Sequence, residues 1–115
     1  MSSVPEGRAA NHPSADVTLR PPIGAPFPGA VGYITGKAAV LAFANTVAVE
    51  YRKQKVRCNT ILPSVIDTPA NRAAQPDADH TRWVSPTAIA DVITYLASDA
   101  SAATSGATIP VYGRA

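Results

Sequence analysis

At 115 residues the chain has the length of one ordinary domain, and a hydrophobic content of 46% excludes wholesale disorder. A formal charge of only +2 argues against a nucleic-acid partner, because such proteins concentrate Lys and Arg on one face. A single cysteine excludes an internal disulfide, and no hydrophobic signal core follows Met1, Ser2 and Ser3, so the expected location is the cytoplasm. The longest mostly apolar stretch, Ala38 to Val49, is interrupted by Asn45 and Thr46 and falls short of the roughly 20 residues of a membrane span. It is expected to be a buried helix of a soluble protein, with no membrane partner.

In chain order, residues 1 to 32 hold six of the eleven prolines and little apolar periodicity, which predicts a proline-rich, poorly packed segment. Within it Val17 to Leu19 could make a short strand, closed at once by Pro21 and Pro22. From Tyr33 a proline-free run with helical spacing predicts a long helix over 33–54. One apolar stripe holds Ile34, Ala38, Leu41, Ala42, Ala48 and Val49; a second holds Val40, Phe43, Val47 and Tyr51, so two faces need cover. Arg52, Lys53 and Lys55 then complement the negative end of the helix dipole as a solvated helix end.

Val56 to Leu62, rich in β-branched residues and closed by Pro63, predicts a buried strand. Residues 67–85 are polar and read as a long loop of the kind that forms a functional lid. Ser85 caps and Pro86 opens a helix over about 86–98, and a last strand over 107–111 carries Pro110, which argues for an edge position. The alternation of helix and strand predicts an α/β layer fold in which the two strands are parallel neighbours.

Tyr33 and Lys37 are four residues apart, so they share a helix face. An ammonium near a phenol favours the phenolate, which brings a group that titrates near 10 in isolation toward acid/base work at neutral pH. By itself this pattern is common. The rest of the chain supplies its context: Y-I-T-G-K-A-A-V (Tyr33 to Val40), V-R-C-N-T-I-L-P-S-V-I-D-T-P (Val56 to Pro69), I-A-D-V-I-T-Y-L-A-S-D (Ile89 to Asp99) and S-G-A-T-I-P-V-Y-G (Ser105 to Gly113). In order and spacing these segments resemble the C-terminal half of a short-chain dehydrogenase/reductase.

The resemblance implies a partial Rossmann-like fold, a doubly wound parallel sheet without its N-terminal nucleotide-binding half, over residues 33–115. It implies an oxidoreductase that exchanges a hydride between NAD or NADP and an alcohol or ketone. Tyr33 matches the family's general acid/base, and Lys37 the lysine that assists it and holds the nicotinamide ribose. Pro63, Ile66 and Thr68 match the loop that cradles the nicotinamide, and the long loop that follows matches the substrate lid. Asn59 matches a structural position.

Two departures stand out. Ser64 replaces the glycine that follows the proline, which predicts backbone strain if a positive φ is kept there. The serine expected about a dozen residues before the tyrosine is missing, with Arg20 near its place and Ser14 outside the pattern. A full dinucleotide site also needs a strand, a glycine-rich turn and a helix N-terminus to receive the pyrophosphate. Gly29 and Gly32 in a proline-rich stretch are a poor substitute and read as a loop. His12, His80 and Cys58 lack metal-ligand spacing, Cys58 reads as a buried strand residue, and Trp83 as a packing residue under a loop.

Three readings follow: a truncated oxidoreductase inactive alone, one half of a split enzyme, or an interaction module without chemistry. The last would form a homo-oligomer or dock on a full-length relative through the second stripe of the long helix.

Overall fold

The computed structural model describes residues 14–18 and 31–114. In chain order these form β1 (Ser14–Thr18), α1 (Val31–Glu50), β2 (Arg57–Pro63), α2 (Pro69–Ala74), α3 (Pro86–Ala97) and β3 (Thr108–Val111). The three strands make one parallel sheet in the order β1-β2-β3. The predicted β2 and β3 are therefore neighbours and parallel, with Thr60 level with Thr108 and Pro63 level with Val111.

The N-terminal expectation needs correction. Ser14 to Thr18 is a strand of the sheet, with Ser14 level with Arg57 and Thr18 level with Ile61, so this part of residues 1–32 is incorporated into the fold. Of the short strand suggested at Val17 to Leu19, Val17 and Thr18 fall within β1, which begins earlier, at Ser14; the β2 edge it meets lies about forty residues away in the sequence. Arg20 and Gly29 lie outside the described residues, and Gly32 lies in the first turn of α1.

Strand β2 is the centre of the domain, and every residue in it but Leu62 is buried. Alternation sends its side chains to two faces. On one, Cys58 meets Ala44 and Ala48 of α1, with Val47 at the margin. On the other, Ile61 joins Val84, Ile89, Leu96 and Val111, with Val92, Ile93 and Ile109 packed around them. The sheet thus carries α1 on one side and α3 on the other, a doubly wound arrangement.

Helix α1 is shorter and more exposed than predicted. It ends at Glu50; a separate 3₁₀ turn, Arg52–Gln54, follows, closed by Lys55 in the left-handed region at φ 61. The basic cluster accordingly falls in that turn, beyond the α-helix's last turn. Only Ala44 and Ala48 are buried, because the sheet covers a single stripe, on which Ile34, Lys37 and Leu41 are half-buried. Val49, placed in the first apolar stripe together with the buried Ala48, is 63% exposed. The helix has the length and apolarity of a membrane span by composition, yet its small residues lie against β2.

Helix α3 begins as predicted, with the Ser85 hydroxyl accepting from the Ala88 N–H at 3.1 Å and Pro86 in the first turn. Its other end is held by Arg57, which is 4% exposed. One terminal guanidinium nitrogen donates to the Leu96 carbonyl at 2.9 Å, the Ser101 carbonyl at 3.1 Å and the Ser101 hydroxyl at 2.9 Å; the other reaches the Ser98 carbonyl at 3.3 Å. The Leu96 and Ser98 carbonyls are ones that the helix end leaves without intrahelical partners, at the negative end of its dipole, and Ser101 belongs to the turn that follows. Asn59 fixes the next turn, donating to the Thr104 carbonyl and accepting from the Ala107 N–H, which aims β3 alongside β2.

Replacing Arg57 with Leu strips this cluster of its donors and is expected to destabilise the domain by about 3–5 kcal/mol, with Arg57→Lys losing less. Urea denaturation followed by circular dichroism measures both; equal midpoints for Arg57→Leu and the unaltered chain would contradict the assignment.

Candidate active site

Parallel pairing of β1 with β2 requires the intervening helix to run back across the sheet, so the N-terminus of α1 lies toward the carboxyl end of β2. Ala48 packs on Cys58. From there Lys37 is about 16 Å back along the helix and Pro63 about 16 Å forward along the strand, at 1.5 and 3.3 Å per residue. This topology brings the turn bearing Tyr33 and Lys37 to the end of the sheet where the loop after β2 begins, the end at which ligands bind in open α/β sheets. The Lys37 Nζ stands 5.9 Å from the centre of the Tyr33 ring, within cation–π range. Tyr33 is 47% exposed and Lys37 half-buried.

Pro63 is the last residue of β2 and is buried. Ser64 extends the ladder, its N–H reaching the Val111 carbonyl at 3.4 Å, while its hydroxyl donates to the Tyr112 carbonyl at 2.7 Å. The strain expected of this serine is absent: among the described residues those at positive φ are Lys55, Gly106 and Gly113. Ser64 instead continues the contact with the end of β3 through its N–H and its hydroxyl.

The segment 67–85 is also more ordered than a simple loop. Thr68 caps and Pro69 opens α2, repeating the Ser85-Pro86 signal at a site where the sequence reading looked only for polarity. A second turn, His80–Arg82, is capped by the Asp79 carboxylate, which accepts from the N–H and hydroxyl of Thr81. Val84 is 1% exposed and bridges Ile66, with the Asp67 N–H on the Val84 carbonyl at 2.8 Å and the Val84 N–H on the Val65 carbonyl at 3.1 Å. Trp83 packs on His80 with ring centres 4.4 Å apart.

Ile66, Asp67 and Thr68 are each tied to the first turn of α2. Asn71 Nδ2 donates to the Ile66 carbonyl at 2.8 Å, the Asn71 N–H to the Thr68 hydroxyl oxygen at 3.2 Å, and Arg72 grips the Asp67 carboxylate with two bonds of 2.6 and 2.9 Å. The Thr68 hydroxyl accepts from Asn71 and so keeps its own proton free for an outside acceptor. The sequence reading singled out Ile66 and Thr68 but missed Asn71 and Arg72, which hold them; the i, i+5 separation of Asp67 and Arg72 matches no regular helix spacing.

Comparison with known proteins places this arrangement. Residues 23–113 match the family model described as enoyl-(acyl carrier protein) reductase. The chain is 33% identical over 95 residues to dehydrogenase/reductase SDR family member 6 of Danio rerio, a match covering 70% of this chain and 39% of that protein. It is 32% identical over 93 residues to (3R)-3-hydroxyacyl-CoA dehydrogenase of Canis lupus familiaris, covering 74% and 36%. Among solved structures, a short-chain dehydrogenase/reductase family oxidoreductase from Burkholderia thailandensis superposes with a TM-score of 0.77 at 28% identity, over 92% of this chain and 45% of that one. Carveol dehydrogenase from Mycobacterium avium, solved in complex with NAD, shares the fold with a TM-score of 0.73 at 24% identity, over 93% and 47%. The chain spans less than half the length of these relatives.

Arg72 holds the Asp67 carboxyl below its ordinary range, chiefly by hydrogen bonding. A carboxyl with a depressed folded-state pKa adds stability above its unfolded value, about 3.9, and loses that contribution as pH falls through the lower folded value. The grip on the Ile66–Thr68 loop is therefore expected to hold at neutral pH and to release only in acid. Carbon-detected NMR titration of Asp67 checks this; a midpoint at or above the ordinary aspartate value would contradict it.

Proposed function

The chain belongs to the short-chain dehydrogenase/reductase family, and from that premise we propose that it carries the proton-transfer and nicotinamide-facing half of an NAD(P)-dependent oxidoreductase acting on an alcohol or ketone. The observation that carries the reading is the Tyr33–Lys37 pair, one helical turn apart at the carboxyl end of a parallel sheet.

The described residues suit the nicotinamide end of the cofactor. Thr68 offers a hydroxyl proton on a loop braced from both sides, Lys37 offers an ammonium to ribose hydroxyls, and the half-buried Ile66 supplies an apolar floor, with the fully buried Pro63 supporting the loop from behind. Among the described residues no strand, glycine-rich turn and helix follow one another as a pyrophosphate cradle. When bound, the nicotinamide exchanges a hydride with the carbon of the substrate alcohol or ketone. In the reductive direction Tyr33 gives its phenolic proton to the substrate oxygen, and Lys37 places positive charge beside the phenolate so formed. In the oxidative direction the same oxygen recovers the proton.

On this reading residues 1–115 by themselves bind neither nucleotide appreciably, and activity requires a segment that supplies the pyrophosphate cradle. Calorimetric titration with NADH and NADPH tests the first statement: micromolar binding by the isolated chain would overturn it. Co-expression with the nucleotide-binding half of a relative tests the second, where Tyr33→Phe is expected to lower turnover by about 10²–10⁴. We place the protein in the cytoplasm, in keeping with the lone, buried Cys58.

A second reading concerns the outer face of α1. Phe43 is 70% exposed, and with Thr46, Val47, Glu50, Tyr51 and Val56 it lines a groove of about 490 Å³. This face suits contact with a second copy of the chain. Phe43→Glu is expected to shift the chain toward monomer in light scattering; a wild-type chain that is already monomeric would remove the reading.

A further inference from the structure

A separate cavity of about 260 Å³ opens beside the loop after β2, between Ser64 and Val65 on one side and Ala78, Asp79, Arg82 and Trp83 on the other. It joins the two parts of the chain that the oxidoreductase reading assigns to cofactor and lid. We propose that this cavity holds the carboxylate end of a small hydroxy- or keto-acid substrate, with the Arg82 guanidinium as its anchor and Trp83 and Val65 as apolar walls. The role assigned to the ligand rests on the oxidoreductase reading; its binding does not.

The charges favour a single negative group. Arg82 is exposed, and among the described residues its guanidinium makes no ion pair or hydrogen bond, so its fork of donors is open to a carboxylate. The one carboxylate in the wall, Asp79, has an oxygen engaged by the Thr81 N–H and hydroxyl, at 3.1 and 2.6 Å. Its charge is further offset by the fields of Arg82 and Arg114. Arg82 is the one cation and Asp79 the one carboxylate among the lining residues, and Asp79 is already engaged by Thr81, so the guanidinium can serve one further negative group; a phosphate dianion would add a second negative charge beside Asp79. The volume lies below the roughly 300–1,000 Å³ of pockets for drug-sized ligands, which fits a short acid.

Position and rigidity point the same way. The Arg82 backbone is fixed at both ends, its N–H on the Asp79 carbonyl at 3.2 Å and its carbonyl receiving the Arg114 N–H at 3.3 Å. Trp83 is held against His80. Because these ties are made by backbone and ring, the Arg82 side chain is free to serve a ligand without holding up the fold.

Trp83 is the only tryptophan in the chain, so its fluorescence reports on this cavity alone. The 115-residue chain is titrated with butyrate, with the neutral isostere butyramide and with inorganic phosphate at constant ionic strength. Butyrate is expected to give a saturable change, butyramide and phosphate none, and Arg82→Gln to weaken the butyrate response at least tenfold while leaving the circular dichroism spectrum unchanged. Should Arg82→Gln disturb the fold, Arg82→Lys provides the comparison, keeping the charge but weakening the response through loss of the fork. No saturation by butyrate, an equal response to butyramide, tighter binding of phosphate, or full retention in Arg82→Gln would each overturn the proposal. None of these readouts involves nucleotide, so a chain that binds butyrate but never gains reductase activity would separate this site from the broader reading.

Discussion

Much of the structure depends on one buried cation. Arg57 opens the central strand, yet its guanidinium reaches across to the far end of α3 and the turn after it, where it meets carbonyls that the helix cannot satisfy itself. Among the described residues the guanidinium hydrogen-bonds to no carboxylate; its partners are carbonyls and one hydroxyl at the negative end of the helix and in the turn after it. The result fixes α3 against β2 at one end, while the cluster of Ile61, Val84, Leu96 and Val111 fixes it along its length. Asn59, two residues on and on the same face, sets the path into β3.

That anchoring matters for the site because the loop after β2 inherits its direction from the strand. Its conformation is then set twice over: by backbone pairing of residues 65–67 with Val84, and by the ties from Asn71 and Arg72 to Ile66, Asp67 and Thr68. A hydroxyl and a set of apolar groups presented by such a loop are ordered before any ligand arrives, which lowers the entropic cost of binding. The short, capped segment from α2 to α3 then forms one wall of a cavity, with Arg82 and Trp83 facing the start of the loop.

Helix α1 illustrates a different constraint. Its sheet-facing stripe includes the small residues Ala44 and Ala48, which let helix and strand approach closely near Cys58 and Gly106. Its remaining surface is almost as apolar as the covered one, with Val40, Phe43 and Val49 exposed. A single sheet face covers only one stripe of a helix, so apolar residues all round require a second neighbour.

The sequence by itself determined the local elements wherever one residue type has one strong consequence. Ser85-Pro86 starts α3, the β-branched run closed by Pro63 makes β2, and the Tyr33–Lys37 spacing puts phenol and ammonium on one turn. It determined the family too, because the motifs occur in a fixed order along the chain. What only the tertiary structure decided are the relations between distant segments: the pairing of Ser14–Thr18 with β2, the burial of Val84, the role of Arg57, and the bonding of Ser64 to Val111 and Tyr112. The physical reason is common to all four. A strand partner, a core neighbour or an acceptor for a buried guanidinium lies many residues away along the chain, and local propensity carries no information about which distant group will satisfy it.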